Sequence, residues 1–318
     1  MPEITVIVTE PINKMGVEYL KERDVNVIEL PPGSTEKTLA EHITEADGLI
    51  TRGSIKITRE LMMSSPRLKA VGVHGIGCDH VDLDAAKELG KIVCNTPDAL
   101  TVTVAEMAMA LTLALLRNVV SADKAVRHDQ WKRKYSDLIG AELAGKKVGI
   151  IGLGRIGEAT AKRMQIFDAE IIYWSRTRKP GSEKKYGFKW CELEDLLRES
   201  DIISLHIPAT AETRHILGAK QFGMMRDGVY IINTARGKVI DEKALIDVLR
   251  SGKVKAAALD VFEDEPLSTD SPLCGMDNVI LTPHLSASNL EGMQRMAVQV
   301  AEGVLRSIKG LEPRNRVV

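Results

Sequence analysis

An apolar segment of the chain runs directly into a glycine-rich turn. Lys147–Gly157 reads K-V-G-I-I-G-L-G-R-I-G, and a helical stretch, Glu158–Phe167, follows it. In such a strand–turn–helix unit the first glycine permits the tight turn, the second lets the backbone approach a pyrophosphate, and the third lets helix and strand pack closely. The helix N-terminus adds N–H groups and a positive dipole end. The pattern predicts a dinucleotide-binding turn formed by Gly152, Gly154, Arg155, Ile156 and Gly157.

Length and composition limit the classes of protein to consider. A chain of 318 residues exceeds what one hydrophobic core usually organises, so two domains are expected. The formal net charge of −1 argues against a polyanion such as nucleic acid as the main partner. The four cysteines lie far apart and form no C-x-x-C pair, which is typical of reduced thiols. A cytoplasmic location is therefore predicted.

Two segments bear on membrane association. The N-terminus lacks the basic region and cleavage site of a signal peptide, because Ile4–Thr9 already reads as a β-branched strand. The longest apolar stretch, Val102–Val120, is barely long enough to span a bilayer and contains Glu106 and Arg117. We therefore expect a buried or subunit-interface helix there and no membrane partner.

Short β-branched runs alternate with helical patterns along the chain, which is typical of parallel α/β units with right-handed crossovers. The runs predict strands at Ile4–Thr9, Val25–Leu30, Gly48–Thr51, Ala70–Val73 and Ile92–Asn95, and again at Lys147–Ile151, Ile171–Trp174, Ile202–Ile207, Val229–Asn233, Val254–Leu259 and Val279–Leu281. One long helix from about Thr101 to Arg127 separates the two series, and a last helix covers about Asn289–Lys309.

These patterns predict an α/β protein of two doubly wound parallel-sheet domains. Residues 98–286 would form a Rossmann domain that binds the cofactor. Residues 1–97 together with 287–318 would form a smaller, flavodoxin-like substrate domain, if the last helix packs back on the first series of strands. Two crossings between domains would then create a hinge and a cleft.

Three later segments carry polar groups directly after apolar strands, where α/β enzymes place their sites. They are N-T-A-R-G at Asn233–Gly237, D-V-F-E-D-E-P at Asp260–Pro266 and T-P-H at Thr282–His284. Three such segments in succession, downstream of a nucleotide-binding turn, predict an active site.

The order of these motifs resembles the D-isomer-specific 2-hydroxyacid dehydrogenases, a family that includes phosphoglycerate dehydrogenase and glyoxylate/hydroxypyruvate reductase. The resemblance covers essentially the whole chain and includes G-I-G-C-D-H-V-D-L at Gly75–Leu83. It implies an NAD(P)-dependent oxidoreductase that transfers a hydride between NAD(P)H and a 2-oxo or D-2-hydroxy acid. It also implies a homodimer, with the apolar helix Val102–Arg117 as the interface.

The family's catalytic arginine, glutamate and histidine fall on Arg236, Glu265 and His284. The residue chemistry supports these roles independently. A guanidinium binds the carboxylate of such a substrate bidentately. A histidine can give a proton to the carbonyl oxygen and take it back, and a carboxylate on its far ring nitrogen fixes the tautomer and favours imidazolium.

The resemblance assigns further positions to the substrate and the cofactor. The substrate set comprises Arg52 and the loop Gly75, Ile76 and Gly77, whose backbone N–H groups would meet the substrate carboxylate. The cofactor set adds Thr103, His206, Pro208, Thr234, Ala235 and Asp260, the last contacting the nicotinamide amide. No metal is expected, because a strand–turn–helix would spread His74, Cys78, Asp79 and His80 over different faces.

The residues after the second strand of the cofactor domain favour NADP(H), with NAD(H) as the alternative. An NAD-selective unit ends this strand with an acid, about 20 positions after the glycine turn, that binds both ribose hydroxyls. Here the acid is replaced by Ser175, and Arg176, Thr177, Arg178 and Lys179 follow. Ser175, Arg176 and Thr177 are predicted to contact a 2′-phosphate, although a solvated basic turn would give the same sequence.

The substrate is left open. Arg52 matches an arginine that phosphoglycerate dehydrogenases place near their anionic substrate, but His74 stands where many of them carry a second arginine. Glyoxylate or hydroxypyruvate is favoured, and D-3-phosphoglycerate is the alternative. A formate dehydrogenase relative is disfavoured because formate oxidation needs no proton-shuttling histidine. An NAD(H)-sensing corepressor-like binding protein is disfavoured because that class is expected to carry disordered tails.

Overall fold

The computed structural model describes residues 4–318. The chain forms two compact units: one runs up to Leu100 and resumes over Ala287–Val318, and the other is Thr101–Ser286. The division lies inside the helix that begins at Pro97. It therefore falls slightly later than the predicted boundary at residue 98.

All the strands are short. They are β1 (Ile4–Val8), β2 (Val25–Glu29), β3 (Gly48–Thr51), β4 (Ala70–Val73), β5 (Ile92–Cys94), β6 (Lys147–Ile151), β7 (Glu170–Trp174), β8 (Lys189–Trp190), β9 (Ile202–Leu205), β10 (Val229–Asn233), β11 (Val254–Leu259) and β12 (Val279–Leu281). The helices are α1 (Lys14–Lys21), α2 (Glu36–His42), α3 (Arg59–Ser64), α4 (Leu83–Glu88), α5 (Pro97–Leu116), α6 (Val119–Arg127), α7 (Arg155–Ile166), α8 (Pro180–Tyr186), α9 (Leu193–Glu199), α10 (Ala219–Met224), α11 (Glu242–Ser251) and α12 (Leu290–Ile308).

The first unit is a five-stranded parallel sheet in the order β2-β1-β3-β4-β5, the flavodoxin-like arrangement. Helix α12 packs on α1, β3 and β4. Glycines allow this close approach, since a Cβ at Gly16 would lie 2.5 Å from the Ala297 carbonyl oxygen and one at Gly72 would lie 2.4 Å from a Val304 methyl. The last helix therefore completes the core of this unit.

The second unit is a seven-stranded parallel sheet in the order β12-β11-β10-β9-β6-β7-β8. The chain order reverses between β6 and β9, which lie side by side, and doubly wound sheets bind ligands at the carboxyl ends of such strands. The glycine-rich turn follows β6 at this point. The two parallel sheets confirm the predicted fold class.

The predicted helix from Thr101 to Arg127 is wrong in one respect: it is two helices. Helix α5 ends at Leu116, and Asn118 has φ +52° and ψ +32°, a left-handed conformation that interrupts a right-handed helix. Asparagine tolerates this conformation better than most residues. By length and composition α5 could cross a membrane, yet 61% of its apolar stretch is buried inside the structure.

Candidate active site

Six neighbouring strands of the second sheet end level with one another. Their aligned residues form one row across the sheet, Trp174, Ile151, Leu205, Asn233, Leu259 and Leu281. The residues that follow the row are Ser175, Gly152, His206, Thr234, Asp260 and Thr282. This register brings most of the predicted cofactor and catalytic segments of this unit to one edge of the sheet.

The glycine turn has the geometry that a pyrophosphate needs. Gly152 has φ +98°, and a Cβ there would lie 2.6 Å from the His206 carbonyl oxygen. A Cβ at Gly157 would lie 2.0 Å from the Gly152 oxygen, whereas one at Gly154 would meet nothing within 4 Å. The turn is therefore closed on the protein side and open at Gly154, directly before the N-terminus of α7 at Arg155. These residues fit a dinucleotide.

The loop after β7 is organised by Glu183. Its carboxylate accepts hydrogen bonds from Nε of Arg178 at 2.8 Å, from Nη2 of Arg178 at 2.7 Å and from the Tyr173 hydroxyl at 2.7 Å. The hydrogen bonds from Arg178 and Tyr173 lower the pKa of Glu183 to about 2. Arg178, one of the basic residues that follow Ser175, is thus engaged by Glu183.

The three predicted ribose contacts lie on the same loop. The Ser175 hydroxyl donates to the Thr177 carbonyl oxygen at 2.8 Å. Arg176 and Thr177 are exposed. Arg176 is therefore the arginine of this loop best placed to reach a ligand from solvent, and its contact with the cofactor stays a prediction.

Two polar side chains follow β9 and β10 in the row. Burial lowers the pKa of His206 to about 4, so its ring is neutral at physiological pH, and Nε2 hydrogen-bonds with the Ser204 hydroxyl at 2.9 Å. Thr234 is buried, and within residues 4–318 its hydroxyl has no hydrogen-bond partner. Such a group costs free energy unless it is paired, so it fits a polar atom of a bound cofactor.

Two other residues of the predicted cofactor set lie in this unit. The Pro208 carbonyl accepts from the Thr213 hydroxyl at 2.6 Å, and Thr103 is buried in α5.

Asn233, to which the sequence assigned no role, shapes the turn that carries Arg236. Its Oδ1 accepts from the Ala235 N–H at 3.0 Å, and its Nδ2 donates to the Arg236 carbonyl at 2.9 Å. Asparagine often forms such turns with its own following backbone, so an Asn at the end of a strand was the available signal. Gly237, which follows Arg236, lies very close to the Phe262 carbonyl. A Cβ at Gly237 would be 1.8 Å from that carbonyl.

Asp260 is fully buried and anchors the loop that carries His284. Its Oδ1 accepts from the Thr282 hydroxyl at 2.5 Å and the Leu285 N–H at 2.9 Å. Its Oδ2 accepts from the Ser286 N–H at 2.9 Å and from the Ser286 hydroxyl. His284 has φ +49°, an uncommon conformation that persists where the surroundings impose it. Sequence reasoning missed this anchoring role; a contact of Asp260 with the nicotinamide amide stays a prediction.

His284 and Glu265 form a hydrogen-bonded pair. Nδ1 of His284 donates to Oε2 of Glu265 at 2.8 Å, and Oε1 of Glu265 accepts from the Phe262 N–H at 3.1 Å. The hydrogen bond to Glu265 raises the pKa of His284 against the opposing effect of burial and the charge of Arg236. Burial would raise the pKa of Glu265, but its hydrogen bonds and the charges of His284 and Arg236 lower it. The pair therefore favours imidazolium beside carboxylate, and Nε2 of His284 is the ring nitrogen left for a substrate.

In the first unit, the predicted substrate residue Arg52 follows β3. The N–H groups of Arg52 and Ser54 donate to the Glu10 carboxylate at 2.9 and 2.7 Å, and Nη1 of Arg52 donates to the Pro11 carbonyl at 2.7 Å. Burial would raise the pKa of Glu10, but hydrogen bonds from Thr9 and from the N–H groups of Arg52 and Ser54 lower it.

His74, which follows β4, is only 5% exposed. Burial and the nearby charge of Arg52 lower the pKa of His74 to about 4.

The predicted carboxylate loop follows His74. The Gly75 carbonyl accepts from the Thr96 N–H at 2.9 Å, and the Ile76 carbonyl accepts from Nδ2 of Asn95 at 2.8 Å. Because the C=O and N–H of a trans peptide point in opposite directions, the N–H groups of Ile76 and Gly77 point away from Asn95 and Thr96. That orientation suits an anion, and the contact stays a prediction.

Within residues 4–318, no three His, Cys, Asp or Glu side chains converge as metal ligands.

Comparison with known proteins places this chain. The family model described as D-isomer specific 2-hydroxyacid dehydrogenase, NAD binding domain, matches residues 109–286. Glyoxylate reductase of Thermococcus litoralis is 39% identical over 318 residues, covering 98% of this chain and 96% of that protein. D-3-phosphoglycerate dehydrogenase of Archaeoglobus fulgidus is 37% identical over 312 residues, covering 98% of this chain. This chain spans only 59% of that relative's length.

Among solved structures, a glyoxylate reductase from Paecilomyes thermophila superimposes with a TM-score of 0.90 at 31% identity, covering 100% of this chain and 99% of that one. The family model, the relatives and this structural match confirm the family that the sequence motifs resemble, and the family model confirms an NAD-binding domain in the second unit. The chain belongs to the D-isomer specific 2-hydroxyacid dehydrogenase family.

Proposed function

We propose that this protein reduces a 2-oxo acid to the D-2-hydroxy acid with NAD(P)H. The observation that carries the proposal is the 2.8 Å hydrogen bond between Nδ1 of His284 and Oε2 of Glu265, with the charge of Arg236 acting on both groups. A bound nicotinamide would supply the hydride. The residues of this chain bind the acid and move the proton.

His284 is the proposed proton donor. Because Glu265 raises the pKa of His284, the ring carries its proton at pH values where a free imidazole has begun to lose it. Nε2–H then donates to the oxo oxygen of the substrate and transfers its proton as that oxygen gains electrons. In the reverse direction, neutral Nε2 accepts the hydroxyl proton. Glu265 fixes the ring through Nδ1 in both directions.

Arg236 is the proposed binder of the substrate carboxylate. Its guanidinium can form two parallel hydrogen bonds with a planar carboxylate, which sets the orientation of the neighbouring oxo group. The turn built by Asn233 and Gly237 supports the backbone of Arg236 on both sides. Correct orientation of the reacting group accounts for a large part of catalysis in such reactions.

We propose glyoxylate or hydroxypyruvate as the substrate, with D-3-phosphoglycerate as the alternative. A phosphate is best bound by more than one full positive charge. At the ends of β3 and β4, Arg52 supplies one, whereas buried His74, with its pKa near 4, is neutral. The extent of the match to the Thermococcus litoralis glyoxylate reductase supports the same choice.

The experiment that tests the function is a substrate panel. Glyoxylate, hydroxypyruvate, 3-phosphohydroxypyruvate, pyruvate and 2-ketogluconate are each assayed with NADH and with NADPH. Turnover of none of them would refute the enzymatic proposal and favour a binding protein. Arg52→Ala is then assayed on 3-phosphohydroxypyruvate and on glyoxylate. An increase in KM confined to the phosphorylated acid would overturn the small-acid proposal, and equal changes on both support it.

We propose that NADPH is preferred over NADH. The support is the loop after β7, where Ser175 replaces the acid of NAD-selective relatives and the exposed Arg176 follows it. A 2′-phosphate meets no carboxylate at this position. Ser175→Asp combined with Arg176→Ala should move the ratio of kcat/KM for NADPH over NADH at least tenfold towards NADH, about 1.4 kcal/mol. A wild-type enzyme specific for NADH would refute the proposal.

We propose a homodimer, with a revised interface. Helix α5, the predicted interface, is mostly buried within the chain. In α5, Val102 is 48% exposed, and the following segment exposes several more apolar side chains, namely Val119, Val120, Val126, Trp131, Tyr135 and Ile139. Trp131 and Tyr135 are 60% and 76% exposed, and apolar surface of this kind is typical of subunit contacts. Light scattering of the wild type and of Tyr135→Lys tests this arrangement. A cytoplasmic location stays a prediction.

A further inference from the structure

We infer that Glu263 is a positioning residue that holds the Arg236 turn at its working distance from the Glu265–His284 pair. The inference rests on the proposed function, because it concerns how Arg236 is presented to the substrate carboxylate. The three parts of the site come from separate loops. The sheet brings these loops to one edge, and contacts between the loops then adjust their spacing. Glu263 makes several of these contacts.

The two carboxylate oxygens of Glu263 accept donors from two different segments. Oε1 accepts from Nε2 of His215 at 2.5 Å, and Arg214 lies 3.6 Å from the same oxygen. Oε2 accepts from the N–H of Glu242 at 3.3 Å, and the Glu242 carboxylate in turn accepts from the N–H of Glu263 at 3.3 Å. The side chain of Glu263 is 25% exposed. Its bonds are therefore partly shielded from water, unlike those of an ordinary surface pair.

Both of these segments are joined to the chain that leaves Arg236. The N–H of His215 donates to the Lys238 carbonyl at 2.9 Å, so His215 links Glu263 to a residue two positions after Arg236. Glu242 begins α11, which follows the same stretch of chain. His215 has φ +50°, a left-handed conformation imposed by its surroundings. His215 therefore binds Lys238 through its backbone N–H and Glu263 through its ring.

The other side of Glu263 leads to the acid–base pair. The Phe262–Glu263 peptide contacts Gly237 directly, and the Phe262 N–H donates to Oε1 of Glu265 at 3.1 Å. Glu263 is thus two residues from Glu265 in sequence and is linked, directly at Glu242 and through His215 at Lys238, to the chain that follows Gly237. If the carboxylate of Glu263 is removed, its hydrogen bonds to His215 and to the Glu242 N–H are lost, while the glycine contact and the bond from the Glu263 N–H to the Glu242 carboxylate remain.

The test substitutes each end of the His215–Glu263 bond. Glu263→Gln keeps the shape but has one oxygen, so its amide must face a donor of either His215 or Glu242. His215→Ala removes the same bond from the other end, whereas His215→Gln retains a side-chain N–H that can donate to Glu263. We expect Glu263→Gln and His215→Ala each to raise KM for the oxo acid about tenfold, or about 1.4 kcal/mol in kcat/KM. The Kd for NADPH should change less than twofold, and His215→Gln should restore most of the KM.

Asp201→Asn is the matched control. Asp201 is 28% exposed, accepts a backbone N–H from Lys147 at 2.9 Å and a guanidinium from Arg226 at 2.9 Å, and precedes β9 at the opposite edge of the sheet. It should alter the melting temperature without altering KM. Equal increases in KM in Glu263→Gln and Asp201→Asn would overturn the inference. So would a double variant, His215→Ala with Glu263→Gln, in which the two increases in KM multiply, because the two residues would then act independently.

The carboxylate-binding role of Arg236 and the positioning role of Glu263 can be tested separately. Arg236→Lys is assayed beside these variants. A wild-type KM for the oxo acid in Arg236→Lys would refute the carboxylate-binding role of Arg236. A raised KM in Arg236→Lys with wild-type values in Glu263→Gln would refute only the positioning role of Glu263. If Glu263→Gln does not fold, the comparison of His215→Ala with His215→Gln decides the question, because the conservative variant must then differ from the alanine.

Discussion

Replacing Asp260 by asparagine tests how the catalytic histidine is held in place. The change conserves volume and shape, so packing is unaltered. It does change the hydrogen bonding, because each oxygen of Asp260 accepts from a backbone N–H. Oδ1 accepts from Leu285 and Oδ2 accepts from Ser286, both at 2.9 Å. An amide has one oxygen and one NH₂ group. Whichever way it is turned, its NH₂ faces one of these N–H groups.

The magnitude follows from that mismatch. A buried N–H left without an acceptor costs about 1–3 kcal/mol. The remaining bonds also weaken, because hydrogen bonds to a charged acceptor contribute about 1.5–3 kcal/mol and neutral ones about 0.5–1.5 kcal/mol. We therefore expect Asp260→Asn to lower the free energy of unfolding of the second unit by about 3 kcal/mol. The loop from Thr282 to Ser286 carries His284, so kcat should fall as well.

Tryptophan fluorescence during urea unfolding isolates this unit. All three tryptophans, Trp131, Trp174 and Trp190, lie in the second unit. The control is Ser286→Ala, which removes the hydroxyl donor to Asp260 and leaves both backbone bonds in place. It should lower the free energy of unfolding by only about 1 kcal/mol. An unchanged urea midpoint and unchanged kcat in Asp260→Asn would refute the anchoring role.

Three further substitutions probe the chemistry. His284→Ala should lower kcat by roughly 10²- to 10⁴-fold while the Kd for NADPH stays the same, and near-normal turnover would remove His284 from the mechanism. Arg236→Lys should lower kcat/KM at least about tenfold, because an ammonium cannot form two parallel bonds with a carboxylate; steady-state kinetics checks this. Glu265 raises the pKa of His284, and reduction needs the imidazolium, so activity is lost as pH rises through that pKa. Glu265→Gln should move this loss to lower pH, and a pH profile that coincides with the wild type would contradict the role of Glu265.

Short apolar runs predicted the strands well because most of the strands are buried in a parallel sheet. The boundaries at Gly48, Ala70, Val229 and Val254 are those observed. The break at Asn118 was missed, since a single left-handed residue leaves the hydrophobic pattern of the flanking helices unchanged. The two-residue strand β8 was missed because so short a pair carries no period.

The candidate site shows the same division. The titratable residues could be proposed from the sequence because their side-chain chemistry is evident and they follow strands, and their roles stay predictions. The turn made by Asn233 is local, so its signal was present in the sequence and was missed. Asp260 as an anchor and Glu263 act through hydrogen bonds to groups that are distant in sequence, and no spacing in the sequence encodes those partners. The engagement of Arg178 by Glu183 was missed for the same reason, since only the fold of the loop shows that this arginine already has an acceptor.

The position of α12 has a consequence for how the protein is made. The helix lies against Gly16 and Gly72, so the first unit has contacts between residues near the two ends of the sequence. During synthesis the first hundred residues emerge early but wait for Ala287–Val318 before their core can close. The second unit is continuous and can complete its sheet first, so the usual N-terminal-first order of assembly is reversed. Until then the apolar face that α12 will cover is open to chaperones and proteases, which makes the last thirty or so residues decisive for yield.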